Sequence, residues 1–503
     1  MRMTNEEFAE RLGVSVRTVA GWRERPDRSP TNVTQQILDT ALAQASSDEQ
    51  ERFANLLGDQ VPDDAQDAQA DVLEAGRRLN EDRHIGAALE WLDRAAGWSP
   101  GAARRAVAAR FAAVDVGQVR DLALHRGRVG QREVAEVLRS YYSGTVDGFG
   151  TYGVTVDGVT VGTSVVTRPD WLDLGCVLSP ETDRLRFSAN LSAPAARLDE
   201  FGAERAVDRL AETLAIGTRL IDLPLYWVAE LDVSGGIITG RLGVTQFAHF
   251  GLTLDLLEGE LLGAVVSGSS DTLPLRDKYL PDMASVVDFS RRLCVGGAVA
   301  VCAIARPSGR HGDADYLILA QRRSGHVVNA ARRLALIPKG FHQPLADYRE
   351  DARISVTLLR EMEEELFGRD DVDNTSGDQR VADPMHPSRL SEPMTWLLAH
   401  ADRLRLECTG IGLNTVNGNY DLACLIVIED EQFWARFGGL IEANWESDSL
   451  HRYSSRDPES LAELVADEAW TVDGPFALTQ GLRRLAATGG TRVDLPTITW
   501  SLT

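Results

Sequence analysis

At Gly144 the period of the sequence changes. Upstream, from Val72 to about Tyr142, apolar residues recur at helical spacing. "IGAALEWLDRAAG" sets Ile85, Leu89 and Leu92 on one stripe, and "GAARRAVAARFAAV" and "QREVAEVLRSYY" repeat the pattern. Downstream, "TYGVTVDGVTVGTSVVT" alternates β-branched and small residues around Asp157-Gly158, a pair that suits the tight turn of a hairpin. A chain with this switch is neither all-α nor all-β. At 503 residues it is also too long for one core, so several domains are expected.

The expected multidomain division begins with an all-α domain over 1–57 and an acidic linker over 58–71, "GDQVPDDAQDAQAD". A helical region over 72–143 and a central α+β module over 144–287 follow, and a C-terminal domain takes 288–503. In the module, a helix near 198–216 precedes strands at "LYWVAELDV" and "IITGRLGVTQF" and a second helix near 252–265. Glu258 and Glu260 read there as a solvated helix face. The C-terminal domain has strands at 294–306 and 315–321, a carboxylate-rich helix, an acidic loop over 370–395, a strand at "YDLACLIVI" and a helix at "PFALTQGLRRLA". Mixed strands with a carboxylate-rich helix between them predict an α/β sandwich.

A net charge of −23 argues against a protein that coats nucleic acid or an anionic membrane, while leaving room for one small docking module. The five cysteines form no C-x-x-C pair and read as reduced, buried thiols. "MRMTNEEFAERL" is no signal peptide, and the run "CVGGAVAVCAIA" is too short to span a bilayer. A soluble cytoplasmic protein with no membrane partner is expected. Two lysines, Lys278 and Lys339, among 52 basic residues suggest a GC-rich bacterial source.

In "TNEEFAERLGVSVRTVAGWRER", Thr4 and Glu7 make a capping box that starts a helix, Gly13 supplies a tight turn, and Ser15 can cap a second helix. Ala9, Leu12, Val19 and Trp22 would bury the two helices against each other. Ser15, Val16, Arg17, Ala20 and Gly21 would then face the major groove of double-stranded DNA, Arg17 as the base-edge contact and Thr18 a further DNA-binding candidate, with Arg23, Arg25 and Arg28 on phosphate. A small helical domain with no DNA role is the plainer alternative. The stretch resembles the helix-turn-helix of repressor-like bacterial regulators, over about the first 45 residues. One such module reads few bases, so a homodimer is expected.

The segment "LIPKGFHQPLADYREDARISVTLLREMEEELFGRDD" packs four glutamates into 361–365. Leu358, Leu359, Met362 and Leu366 give a helical stripe, and Glu361, Glu364 and Glu365 fall at i, i+3 and i+4 on one face. Such carboxylates repel unless a cation sits among them, and Mg²⁺ or Mn²⁺ are the natural fillers. Arg360 could pair with one of them. A solvated acidic helix face is the alternative.

"REMEEE" resembles the core of the Nudix box, "LIPKGFHQP" its strand-to-loop entry, and "YLILAQRRSG" the strand before it. The resemblance covers about 290–490 and implies a Nudix-like α/β/α sandwich for the C-terminal domain. It also implies divalent-metal-dependent cleavage of nucleoside diphosphate derivatives. By position it makes Glu361, Glu364 and Glu365 catalytic and metal-binding, Arg360 their structural partner, and Gly340 a carbonyl ligand. Lys339 becomes a phosphate contact. His342, in the same loop, is a further ligand-binding candidate, although a loop histidine is commonly a hydrogen-bonding or solvent-facing residue. Arg360 lies twenty residues after Gly340, a longer loop than the box carries. Catalysis tolerates misplacement poorly, so binding can outlast turnover.

Three functions stay open: a DNA-binding regulator that senses a nucleoside-diphosphate-type ligand with metal, a Nudix pyrophosphohydrolase addressed by its N-terminus, and an interaction scaffold.

Overall fold

The computed structural model describes residues 75–503, apart from 271, 310–311, 324–331, 370–384, 439–440 and 442–446, together with Val19. The chain divides into two units, Met1–Leu73 and Glu74–Thr503. Val19 is helical and buried. Ser15, Arg17, Thr18, Arg23 and Arg25 lie outside the described residues.

In the second unit, helices α1 (Arg83–Ala95), α2 (Ala102–Ala112), α3 (Val116–Arg126) and α4 (Gln131–Tyr141) realise the helical spacing. Asp82 caps α1 through His84 and Ile85, and Ile85, Leu89 and Leu92 are buried as their stripe requires. Strands β1 (Gly150–Val156) and β2 (Val159–Thr167) then form the hairpin, with Asp157 and Gly158 at φ of 46° and 85°.

The chain continues with β3 (Cys176–Val177), β4 (Asp183–Phe187), α5 (Glu200–Ile216), β5 (Pro224–Ser234), β6 (Ile237–Gln246), α6 (Phe247–Gly251), α7 (Leu256–Ser267), α8 (Pro274–Tyr279) and α9 (Met283–Val287). Beyond residue 290 come β7 (Gly296–Arg306), β8 (Asp315–Arg323), β9 (Leu334–Leu336), β10 (Lys339–Phe341), α10 (Ile354–Glu361), α11 (Glu392–Leu398), β11 (Leu404–Asn414), β12 (Tyr420–Ile428), α12 (Glu431–Phe437), β13 (Ser447–Ser454), α13 (Pro458–Ala466), α14 (Gly474–Thr488) and β14 (Ile498–Leu502). α10 runs on into a wider turn over Met362–Leu366.

Among the described residues the large sheet has the order β13-β8-β7-β12-β11-β2-β1-β14, with β9, β10 and β3 pairing to β8, β7 and β11. β7 and β12 run parallel, and both are apolar and buried on their two faces. Alternate residues feed two cores. Ala300, Cys302 and Ile304 face the side covered by Ile354, Leu358 and Met362 of the α10 segment. Val301, Ala303 and Ala305 face the side covered by Phe476, Leu478 and Leu482 of α14. That is a sheet between helical layers.

The strands expected within 144–287 fall in two sheets. β4, β6 and β5 form a small mixed sheet. β1 and β2 instead join the large one, Val166 opposite Leu413 and Val154 opposite Trp500 of β14. Periodicity marks a strand but is silent on its partner, because pairing is fixed by packing far along the chain. The second helix of this stretch also departs from expectation. Glu260 is half-buried and engaged: its carboxylate accepts the N–H groups of Leu275 and Arg276 at 2.7 and 3.0 Å, at the start of α8. No helix among the described residues is long and apolar enough to cross a membrane.

Candidate ligand-binding cavity

A cavity of about 230 Å³ opens beside β10, where β7 and β12 begin. The ladder sets Gly297 of β7 between Phe341 of β10 and Asp421 of β12. Glu361 and Glu364 reach the cavity from the helix, Arg323 from the end of β8, and Asp473 from the residue before α14. Arg219, Leu223, Leu225, Phe247 and Glu258 also line it. Glu258, expected on a solvated face, therefore lines the cavity; α7 is packed against the body of the fold, and sequence spacing does not report that.

Arg360 is buried and forms the scaffold of the acidic end. Its Nη2 donates to Glu361 Oε1 at 2.6 Å and to the Phe341 carbonyl at 2.9 Å, and its Nη1 to the Gln343 carbonyl at 3.1 Å. The pair ties α10 to β10 and its following loop. Gly340 stands opposite Ala298 in the ladder, and a Cβ at that position would fall on the Glu361 carboxylate.

The four glutamates separate. Glu361 and Glu364 face the cavity. Glu363 is buried and accepts from Ser391 N at 2.9 Å, with burial raising its pKa. Glu365 is also buried; its Oε2 accepts the Lys339 N–H at 2.6 Å, and it is not among the lining residues. β10 pairs with β7 alone, so the N–H on its other side takes a carboxylate. Lys339 lines the cavity with its Nζ 2.6 Å from Asp473 Oδ2.

Two aspartates missed by sequence reasoning complete the polar end. Burial and then the Asp473 charge push Asp421 well above the usual carboxylate range, against Lys339 and Asn414. Burial also works against Asp473, but Lys339 outweighs it and holds that carboxyl low. Asp421 opens a strand and Asp473 precedes a helix, so nothing local in the sequence joins them.

His342 does not line the cavity. Its Nδ1 lies 3.0 Å from the Tyr420 hydroxyl, its ring packs on Tyr226 at 4.7 Å, and burial beside Arg360 pushes it down to about 3. Its folded pKa lies below the unfolded value of about 6.5, so below that pH the unfolded chain takes a proton the fold refuses. His249, pushed down to about 4 by burial, acts in the same sense, while Asp183, raised to about 6 by burial, acts oppositely. His342→Gln should therefore lose less stability than wild type on going from about pH 7 to about pH 5, by about 2 kcal/mol. Urea unfolding at the two pH values measures this, and equal losses would contradict it.

Glu361 and Glu364 offer the oxygen ligands that Mg²⁺ and Mn²⁺ prefer. Among the described residues no three His, Cys, Asp or Glu side chains converge as a ready metal cage.

No protein-family profile matches the chain, and no curated protein matches it. Among solved structures it is similar to a NUDIX hydrolase from Alicyclobacillus acidocaldarius, at 16% identity over 39% of this chain and 97% of that one, with a TM-score of 0.23. A superposition that loose transfers no residue role.

Proposed function

We propose that this chain is a dimeric, DNA-binding regulator whose cavity senses a nucleoside-diphosphate-type ligand held with Mg²⁺ or Mn²⁺. The observation that carries the ligand half is the convergence of Glu361, Glu364, Lys339 and Arg323 on one cavity beside an apolar wall. Such a site presents carboxylates for a divalent cation and cations for a phosphate, with apolar side chains for the rest of the ligand. A divalent cation, when bound, would neutralise diphosphate charge against the two carboxylates. The chain's own part is positional. Arg360 fixes Glu361, Lys339 stands beside Asp473, and ligand binding would bias the DNA-competent state if it favours one conformation.

Turnover is the second reading, and the same carboxylates would serve it. Glu365 favours sensing, because its oxygen is engaged by the strand backbone and is withdrawn from the site.

Calorimetric titration of the full chain with nucleoside diphosphate derivatives in Mg²⁺ or Mn²⁺, with product analysis alongside, separates the readings. Binding without turnover, weakened about tenfold or more by Glu361→Gln and Glu364→Gln, is the expected result. Turnover lost in those variants would make the protein a hydrolase, and neither binding nor turnover would sink both readings. For the DNA half, salt-sensitive duplex binding should fail in Arg17→Ala.

A further inference from the structure

The turn between β11 and β12 uses its asparagines unequally. Asn414 Oδ1 accepts Val416 N at 2.8 Å, and Asn417 Oδ1 accepts Asn419 N at 3.2 Å, so both amides hold the turn. Arg276 and Arg292 fix the same turn from outside, through the carbonyls of Thr415, Val416 and Gly418. Asn419 and Asp421 line the cavity and are 9% and 7% exposed. Asn419 Oδ1 and Asp421 Oδ2 are buried there with no hydrogen-bond partner. Leaving two such acceptors dry is unfavourable, and natural folds rarely do so without a ligand or function.

The cavity also has an apolar lining, Leu225, Phe247, Val299 and Phe341, with the two phenylalanine rings edge-to-face at 6.0 Å. A flat ring against these side chains would turn its polar edge toward residues 419–421. Burial and Asp473 hold the Asp421 carboxyl up, and donors from a ligand would favour its ionised, accepting form; two acceptors then call for two donors. Among the common nucleobases, guanine presents two neighbouring N–H donors on one edge, whereas adenine and cytosine set an acceptor beside a single amino group.

We propose that Asn419 and Asp421 form a base-reading subsite of this cavity, selective for a guanine-type edge. The proposal rests on the nucleoside-diphosphate reading and adds the base to it. Base recognition by edge hydrogen bonds between apolar walls is a general solution for an unstacked base. A ribose diol could also donate two hydrogen bonds, but the apolar lining favours the base.

The test is titration of the full chain, in Mg²⁺, with guanosine, inosine, adenosine and 2′-deoxyguanosine diphosphates. Inosine lacks only the 2-amino donor. Guanosine diphosphate should bind about tenfold or more tightly than inosine diphosphate. That ratio should fall toward one in Asp421→Asn and in Asn419→Leu, with melting temperatures confirming that both fold. If either variant fails to fold, the wild-type ratio still decides. Equal affinity for guanosine and inosine diphosphates would overturn the subsite. So would a preference that survives both substitutions, or one that follows the 2′-hydroxyl instead of the base. Those results leave the parent reading standing, because nucleoside diphosphates still bind. If none of the four binds, the parent reading falls and the subsite with it.

Discussion

Arg276→Met is expected to destabilise the folded unit by about 3–5 kcal/mol and to abolish the proposed ligand binding with it. Arg276 is fully buried. Its guanidinium donates to the Tyr142 hydroxyl at 3.0 Å, to the Val416 carbonyl at 2.6 Å and to the Thr415 carbonyl. Those acceptors belong to the helical region and to the β11–β12 turn, so one side chain joins segments about 140 residues away in the sequence to its own helix. Methionine fills a similar volume but donates nothing, and it leaves three buried acceptors dry. Lysine would not restore them, since a single ammonium cannot reproduce the planar fork. The turn that Arg276 holds carries Asn417 and Asn419 into the cavity, which links the stability loss to binding. Guanidinium chloride unfolding and nucleotide titration of Arg276→Met and Arg276→Lys measure both effects. A loss below about 1 kcal/mol in the methionine variant would show that the turn is held by other contacts.

Arg276 also shows where sequence reasoning stops. Its helix is short, and its importance lies wholly in partners that adjacency does not reveal. The same holds for β11. "LRLECTGIGLN" carries two charges and two glycines and does not read as a central strand, yet it lies between β12 and β2. Its Glu407 is buried because Arg405 and Arg484 pair with it, the second 77 residues away. β7, β8 and β12 were legible because strands buried on both faces must be continuously apolar. The hairpin was legible because its turn chemistry is local.

The site divides along the same line. Glu361, Glu364, Lys339 and Gly340 come together because one strand, one loop and one helix bring them there in sequence order. Glu365 and His342 share that segment and take other places, one set by an unpaired backbone N–H and the other by two tyrosine rings. Spacing on an ideal helix gives a face; it does not say which carboxylate the backbone will claim. Asp421, Asp473 and Glu258 arrive from three separate elements and gave no local signal.

Gly340→Ala is expected to weaken the proposed metal-dependent ligand binding about a hundredfold and to lower stability by about 3 kcal/mol. The added methyl would occupy the place of the Glu361 carboxylate. That carboxylate must then leave Arg360, a cation buried to the same depth as the core, and its departure strands a charge. The alternative is a displaced β10, which would carry Lys339 and Phe341 out of the cavity. Both routes damage the site, so the single variant alone does not identify the cause. A double-mutant cycle does. In Glu361→Ala the space beside residue 340 is already clear, so adding Gly340→Ala to that background should cost well under 1 kcal/mol by denaturant unfolding. If the glycine substitution costs as much with Glu361 absent as with it present, the glycine serves the backbone path of β10. The carboxylate would then owe its position to Arg360 alone.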